Sequence, residues 1–279
     1  MSTKIMIKSM EKGLSSRSLE KKRREELLSF DLQADFGFFR KPDVNEGIQY
    51  SYNMLHKPAL LGIMGAIAGL KGHQQKGQWP QYYTLLKSVL VGIAPLNHER
   101  GSFTKVAITY TNTVGYANAD GTLIVHENTL RCPAYRVFVL LDQADELQSR
   151  LAARIRQHEA EFIPYLGKNE FTAWWDNVNE YEVDRTRPTQ SFELVTLFDK
   201  RLKTDRKSMT RESDQLDLVD MSNQKGSYIY FERLPAGFNE ELFQYDLVNF
   251  AYTDYLIKAP TQLANLYQLN QTNSYAQLM

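Results

Sequence analysis

Alternation of apolar and polar residues over 28–38 is the pattern that most constrains how this chain can fold. Period-two alternation puts every second side chain on the same face, so it predicts a β-strand with one apolar and one polar face. A loop over 42–52 follows. An apolar helix is then predicted over 58–70, because Pro58 suits the first turn of a helix. A strand followed by a helix in this way indicates the start of an α/β or α+β domain.

The predicted helix over 58–70 is unusually rich in glycine. Each Gly inside a helix costs about 1 kcal/mol relative to Ala, so the glycines require a reason. Positions 62, 65, 66 and 69 share one face at helical spacing, and small residues there let another backbone approach closely. That backbone can belong to the sheet, to an RNA strand or to a partner helix, and the spacing alone leaves all three open.

Further elements are predicted along the rest of the chain. A short helix and a strand lie within 79–95. A hairpin has arms at 103–116 and 122–130, joined by a turn that ends in Ala-Asp-Gly. A buried strand over 134–141 precedes an amphipathic helix over 143–162. Strands over 191–198, 227–234 and 242–257 follow, with a turn at 235–237. This order predicts an α+β fold: a ferredoxin-like (RRM/RAMP) domain with an inserted β-hairpin thumb and a β-rich C-terminal part.

Four segments are predicted along the chain. Residues 1–26 form a polar basic extension, which is either an arm that contacts RNA or a partner, or a disordered tail. Residues 27–180 form the ferredoxin-like domain with its thumb near 97–130. Residues 181–260 form the β-rich part, with a mobile stretch at 200–222. Residues 261–279 are rich in Gln and Asn and are expected to be a peripheral polar tail.

The charge balance excludes a protein that is basic throughout. The chain has 33 basic and 33 acidic residues, so any nucleic-acid site must be a local patch such as 1–24 or 200–212. Such stretches are also compatible with ordinary solvated surface. The lone Cys132 rules out an internal disulfide, is expected to be buried, and fits a reducing cytoplasm. We find neither a secretory signal nor an apolar run long enough to cross a bilayer, so a cytoplasmic protein without membrane contact is expected.

Several catalytic and cofactor motifs are incomplete. The His-Glu pairs at 126–127 and 158–159 lack the second His that a zinc-protease helix needs. With one Cys, a cysteine cluster for a metal is impossible. No phosphate-binding loop or dinucleotide fingerprint is present, since Gly167-Lys168 is followed by Asn169. We therefore expect no metal and no cofactor, although a dispersed Ser-His-Asp set remains possible because such sets are defined in space.

Blocks of sequence resemble the Cas-five family of CRISPR proteins. The chain has FGFFRKP at 36–42 and YSYNMLHKPALLGIMGAIAGL at 50–70. Shorter blocks follow in order, at 127–135, 165–170 and 234–238. The resemblance spans roughly residues 28 to 258 and is greatest to the subtype I-B branch of type I systems.

The resemblance implies a ferredoxin-like RAMP protein with a hairpin thumb, acting as a ribonucleoprotein subunit in antiviral defence. It implies a non-catalytic subunit of the type I surveillance complex (Cascade) that grips the 5′ handle of the CRISPR RNA. It also implies partners: a Cascade backbone subunit whose filament is capped, and a large PAM-reading subunit. Target DNA would be met through the complex.

Handle recognition needs cations for phosphates and rings or amides for splayed bases. Candidates end the first strand, begin the glycine-rich helix, where backbone amides favour phosphate, or lie on the hairpin. The candidate RNA-binding residues are Arg40, Lys41, Tyr50, His56, Lys57, Gly62, Lys105, Tyr110, Asn112, Tyr116, Asn118 and His126.

Two other functions stay open. A metal-independent endoribonuclease that processes precursor CRISPR RNA would use Tyr50, Tyr52 and His56 as a base, an acid or a transition-state contact. In the I-C branch of the family, a Tyr, a Lys and a His do this. The missing Lys-His pair here argues against nuclease activity. The remaining alternative is a protein-interaction scaffold with no RNA contact of its own.

Overall fold

A computed structural model of the chain describes residues 25–43, 47–111, 124–199, 218–222 and 226–279. These residues form an α+β fold that is mostly β-sheet, as predicted. The helices are α1 (Lys57–Ala68), α2 (Gln81–Leu86) and α3 (Glu146–Gln157). The strands are β1 (Glu25–Ala34), β2 (Phe36–Gly37), β3 (Phe39–Arg40), β4 (Ile48–Tyr52), β5 (Leu90–Leu96), β6 (Lys105–Thr111), β7 (Ile124–Arg131), β8 (Ala134–Asp142), β9 (Ala173–Tyr181), β10 (Glu193–Leu194), β11 (Phe198–Asp199), β12 (Ile229–Asn239), β13 (Gln244–Thr253), β14 (Leu266–Gln268) and β15 (Ser274–Gln277).

The central sheet has the ferredoxin-like topology. Its strand order is β5-β8-β1-β9, and every neighbouring pair is antiparallel. Two split βαβ units build it: β1-α1-β5 and β8-α3-β9. Both crossover helices cover one face, where Leu28, Phe30 and Leu32 of β1 join the main core. The prediction of a ferredoxin-like domain is therefore confirmed.

The other face of the central sheet is also covered, which corrects the prediction of a half-exposed first strand. Leu27 of β1 and Phe138 of β8 lie in a second cluster with Tyr267, Leu269 and Leu278 from the C-terminal segment. Near the opposite end of this face, the Asp31 carboxylate accepts two hydrogen bonds from Arg136, at 2.7 and 2.8 Å. Polar residues of β1 are thus buried or paired where the sequence predicts a solvated face.

A second sheet grows out of two insertions into the ferredoxin-like domain. Strands β2, β3 and β4 lie between β1 and α1, and the hairpin β6–β7 lies between β5 and β8. Strand β7 pairs with β6 along one edge. Its other edge pairs with β2 at Leu130 and with β4 at His126, and β4 pairs in turn with β3. The inserted hairpin is confirmed, and its tip lies outside the described residues. Residues 1–24 of the extension predicted over 1–26 and most of the stretch at 200–222 also lie outside them, whereas Glu25 and Glu26 belong to β1.

The C-terminal part is β-rich, but two details differ from the prediction. Strand β12 runs through 235–237 with a bulge, so the turn lies at 240–243 instead. Residues 261–279 are not a peripheral tail: β14 and β15 pair with each other, β10 pairs with β15, and Leu266, Tyr267, Tyr275 and Ala276 are buried. The many Gln and Asn residues of this segment led to the prediction of a polar tail, although apolar residues lie between them.

Cys132 is exposed, contrary to expectation. It occupies the turn between β7 and β8 with φ of 48°, and its N–H donates to the Asp35 carbonyl at 2.7 Å. This turn geometry holds the side chain away from the core. Among the described residues, no helix is long and apolar enough to cross a membrane.

Candidate nucleic-acid interface

One face of the inserted sheet collects several of the predicted residues. Strand β4 runs parallel to β7, so Ile48 lies beside His126 and Tyr50 beside Asn128. Strand β6 pairs with β7 on its other edge, with Thr109 opposite His126. Residues opposite each other in a ladder point to the same face. We call this set the hairpin face; it comprises Ile48, Tyr50, Lys105, Ala107, Thr109, Thr111, Ile124, His126 and Asn128.

Most of the hairpin face is open to solvent. Ile48 is 49% exposed, Tyr50 43% and Ile124 53%, which is unusual for large apolar side chains on two neighbouring strands. The Thr109 hydroxyl lies 2.9 Å from Nδ1 of His126, and this hydrogen bond fixes the orientation of the imidazole. Lys105, one of the hairpin cations, is exposed at the start of β6. Rings for stacking, an imidazole and an ammonium group thus share one surface, which suits an unpaired RNA strand.

Tyr110 lies on the opposite face of the hairpin, so the structure separates it from Tyr50 and His126. Its hydroxyl donates to Glu127 Oε1 at 2.9 Å, and the Glu127 side chain is buried. Partial burial and this hydrogen bond raise the pKa of Tyr110. Lys168 completes the cluster: its ammonium lies 2.8 Å from Glu127 Oε2 and 4.9 Å from the centre of the Tyr110 ring. Tyr110 therefore helps anchor the hairpin.

Three of the sequence blocks meet at this anchor. Gly167, from the block at 165–170, has φ of 85°, and an added Cβ would lie 1.9 Å from the Phe38 carbonyl oxygen. Phe38 belongs to the first block, and its N–H donates to the Leu166 carbonyl at 3.0 Å. Glu127 brings the block at 127–135 into the same contact through Lys168. These blocks fix how the hairpin is mounted on the ferredoxin-like domain.

Arg40 and Lys41 have different surroundings. Arg40 is exposed at the end of β3, and its register with Ser51 puts it on the face opposite Tyr50. The Lys41 ammonium lies 3.6 Å from Glu232 Oε1 and 5.2 Å from the centre of the Tyr52 ring. Glu232 also accepts the N–H groups of residues 53 and 54 at 3.0 Å each. Lys41 thus neutralises a carboxylate that docks the β12–β13 hairpin, whereas Arg40 has no ion-pair partner among the residues that the structure describes.

His56 and Lys57 are buried, which removes both from the candidate interface. His56 caps α1, since its Nδ1 accepts the Ala59 N–H at 3.3 Å. The rings of Phe39, Tyr52 and Tyr245 surround it, with centroids 5.5–5.7 Å away. Burial lowers the pKa of His56 to about 3, so it is neutral at physiological pH.

Lys57 follows the same pattern. Its ammonium donates to the Met279 carbonyl at 3.0 Å, and burial lowers its pKa to about 8. The sequence places both residues at a helix N-terminus, where phosphate would be favoured. Packing of the C-terminal segment over that end closes it to RNA in this fold.

Gly62 is also occupied by the protein itself. The ring of Tyr82, from α2, lies 3.7 Å from where a Cβ on Gly62 would be. At Gly65 the same construction gives 2.4 Å to Cβ of Tyr82, so the glycine face accommodates this side chain. Of the three neighbours that the spacing leaves open, the structure shows a helix: α2 of the same chain packs on the glycine face through Tyr82.

The residues of the nuclease alternative do not form one accessible site. Tyr50 is exposed, whereas Tyr52, two residues along the same strand, is buried next to His56. Burial is the main cause that raises the pKa of Tyr52 to about 12. A general base must reach the proton it removes, and these two rings face the core. Within the described part of the chain, no cluster of His, Cys, Asp or Glu could hold a metal ion.

Some hairpin candidates remain predictions. Asn112, Tyr116 and Asn118 belong to the tip and lie outside the described residues. Sequence reasoning missed Ile48, Thr109 and Ile124, although the alternations Ile48-x-Tyr50 and Ile124-x-His126 carry a signal for one shared face. What the sequence could not give is the parallel pairing of β4 with β7, which joins the two alternations.

The comparisons with known proteins concern the fold. No protein-family profile and no curated protein sequence matches the chain. A chain in a cryo-EM structure of the type III-B Cmr-beta complex bound to cognate target RNA and AMPPnP aligns with a TM-score of 0.50 at 9% identity. It covers 90% of this chain and 99% of that one. What the two share is the fold.

Two solved structures that are less similar to this chain are also described as CRISPR proteins or complexes. A chain in a structure called a CRISPR RNA-guided surveillance complex aligns at TM-score 0.41 and 13% identity, covering 87% of this chain and 95% of that chain. A CRISPR protein from Archaeoglobus fulgidus aligns at TM-score 0.44 and 14% identity, covering 90% and 98%. At these scores neither adds to the argument from the Cmr-beta chain.

Proposed function

We propose that this protein is an RNA-binding subunit of a CRISPR effector complex and that it uses the hairpin face to hold the guide RNA. In finer terms it is a Cas-five-type subunit of a type I surveillance complex, most like subtype I-B. It grips the 5′ handle, caps the backbone-subunit filament and docks the large PAM-reading subunit. Target DNA reaches it only through the complex.

The observation that carries the proposal is the hairpin face itself. A ferredoxin-like sheet of the RRM kind commonly stacks RNA bases on its open face. In this chain much of that face is closed, because Tyr267 and Leu278 pack on Leu27 and Phe138. Trp174 of β9 is an exposed ring that remains on this sheet, whereas the inserted sheet combines an exposed ring with donors on one face, at Tyr50 and His126. We therefore assign RNA binding to the inserted sheet rather than to the central sheet.

The fold supports the same proposal. Alignment with the Cmr-beta chain extends over 90% of this protein. Because the identity is 9%, the choice of complex type rests on the sequence blocks rather than on this alignment.

We propose that the subunit does not cut RNA. Tyr52 and His56 are buried, and Nδ1 of His56 already accepts a hydrogen bond at the N-terminus of α1.

The net charge of zero suits a subunit whose surface is shared between RNA and protein. Phe162, Ile163 and Tyr165 are all exposed within four residues, and such apolar patches mark protein contacts. We assign the protein partners to surfaces of this kind.

One incubation tests the proposal. Purified protein is mixed with labelled precursor CRISPR RNA without metal, and the mixture is analysed both by filter retention and on a denaturing gel. We expect retained, intact RNA. A single cut at the base of the repeat hairpin would show that the protein is a nuclease, and absence of retention by the protein and by its complex would favour a pure scaffold.

A further inference from the structure

A second group of aromatic residues lies away from the hairpin face, where the β12–β13 turn meets the loop before α2. The rings of Trp79 and Phe243 are stacked, with centroids 4.9 Å apart and planes only 7° from parallel. Trp79 also contacts Tyr83 and Phe238, which anchor it to the core. Phe243 is 54% exposed, so one end of this aromatic stack is open to solvent.

The turn presents Phe243 in a costly conformation. Phe243 has φ of 53°, a left-handed backbone that bulky residues rarely adopt. The turn is held by Asn239, whose Oδ1 accepts the N–H groups of Glu241 and Leu242 at 3.1 and 3.0 Å. Backbone strain of this kind tends to persist where a side chain must be aimed at a ligand.

The loop over 71–78 supplies polar groups around the exposed ring. Residues 73–78 and Phe243 line a cavity of about 310 Å³. The cavity is shallow and open to solvent, and its volume is at the lower end of the range of ligand sites, so it suits a single base that stays partly exposed. The loop carries Lys71, Lys76, His73 and three Gln, and it has no carboxylate. Within the described part of the chain, neither lysine has an ion-pair partner.

Carboxylates of the facing turn are the groups that would oppose an anion here. Glu240 is already paired with Lys87. Glu241 is exposed and is the remaining acidic side chain of the turn. Lys76 lines the cavity and Lys71 lies at the start of the same loop, against one unpaired carboxylate, so the charges around the cavity favour a phosphate next to a stacked base.

We propose that this cavity is a second nucleic-acid site, which stacks one unpaired base on Phe243 and reads its edge with the glutamines of 74–78. Amide side chains suit base edges, lysines suit the adjoining phosphates, and an exposed ring accepts any base. The chemistry is that of a single-stranded segment, whether RNA or DNA. This site does not depend on the hairpin face.

Crosslinking tests the proposal on the full chain. Labelled oligo(rU) and oligo(dT) are irradiated with the protein, and adducts are mapped to peptides. We expect adducts on the peptides that contain 71–79 or Phe243, with either oligonucleotide. Adducts with RNA alone would add a requirement for the 2′-hydroxyl and still support a base site. Adducts absent from both peptides would overturn the proposal.

A matched pair of variants sharpens the result. Phe243→Leu keeps the apolar volume but removes the ring, and we expect about a tenfold loss of the adduct, as for one lost base stack. Phe231→Leu changes another half-exposed ring, outside the cavity, and should leave the adduct unchanged. Equal effects would contradict the assignment. Adducts on hairpin peptides report the proposed handle site separately, so either site can fail alone.

Discussion

The Lys168 ammonium lies 2.8 Å from Glu127 Oε2, and Glu127 is only 3% exposed. This pair joins the inserted hairpin to the loop over 164–172. Removal of the cation from a buried ion pair strongly destabilises a protein, because the charge of the carboxylate then stays out of water without compensation.

We therefore expect Lys168→Met to lower the free energy of unfolding by about 3 kcal/mol. Urea titration followed by circular dichroism measures this. Lys87→Met, which breaks the exposed pair with Glu240, is the control and should cost less than about 1 kcal/mol. Adding Glu127→Gln to Lys168→Met should recover part of the loss. Similar losses for Lys168→Met and Lys87→Met would mean that the anchor does not carry the hairpin.

Gly167 offers a test of the close approach between the loop and the first block. Gly167→Ala would bring Cβ to 1.9 Å from the Phe38 carbonyl oxygen, so the loop must move. We expect a loss of about 3 kcal/mol or more, since the carbonyl is backbone and cannot rotate away. Gly47→Ala is the matched control: Gly47 also has positive φ, but no atom of the described residues lies within 4 Å of where its Cβ would be. That change should cost about 1–2 kcal/mol. Equal losses in thermal unfolding would show that backbone conformation alone matters.

His56 predicts a specific pH dependence of stability. Its pKa falls from 6.5 to about 3 on burial, so the folded state holds the ring neutral. The contribution of the neutral His56 ring to the free energy of unfolding is fully present above about pH 6.5. It is lost progressively as the pH falls toward 3. Between about pH 7 and pH 5 the loss from this residue is about 2 kcal/mol.

The variant His56→Asn isolates that dependence. Asn retains a cap acceptor for Ala59 but does not titrate. It will be less stable at neutral pH, because the smaller side chain leaves space among the rings. Its stability should nevertheless fall less steeply than the parent's between about pH 7 and pH 5. Parallel curves would contradict the burial of a neutral imidazole.

Lys105 tests the electrostatic part of the hairpin face. A lysine that contacts phosphate weakens binding to all sequences about equally, and its loss reduces the salt slope by about 0.7–0.9. We expect Lys105→Ala to do this in titrations between about 50 and 200 mM salt. Arg150→Ala, which removes an exposed cation from α3, should leave the slope unchanged. A lowered affinity with an unaltered slope would place Lys105 off the phosphate path.

The ferredoxin-like core was predictable because its elements follow local rules. Alternation over 28–38 marks β1, although its bounds shift to Glu25–Ala34, and the Pro58 helix begins one residue earlier than expected. Apolar periodicity is set by neighbours within a few positions, so it survives whatever the tertiary contacts are.

Burial of particular residues was not predictable, because it depends on distant segments. His56 and Lys57 look like surface groups at a helix start until Tyr245 and Met279 cover them from the other end of the chain. The apolar residues of β14 and β15 are diluted by Gln and Asn. They become part of the core because Tyr267 and Ala276 pack against Leu27 and Phe138 of the central sheet. Sequence spacing contains neither contact.

The central claim is that the hairpin face binds guide RNA through Tyr50 and His126. The most direct measurement is a titration of labelled repeat-derived RNA with the protein, with Tyr50→Ala/His126→Ala, and with Tyr165→Ala. Tyr165 is as exposed as Tyr50 but lies off the hairpin face, so it controls for the loss of a surface ring. We expect the double variant to lose about a hundredfold in affinity, roughly one stack and one base or phosphate contact, while Tyr165→Ala binds like the parent. Equal affinity for all three proteins would contradict the claim.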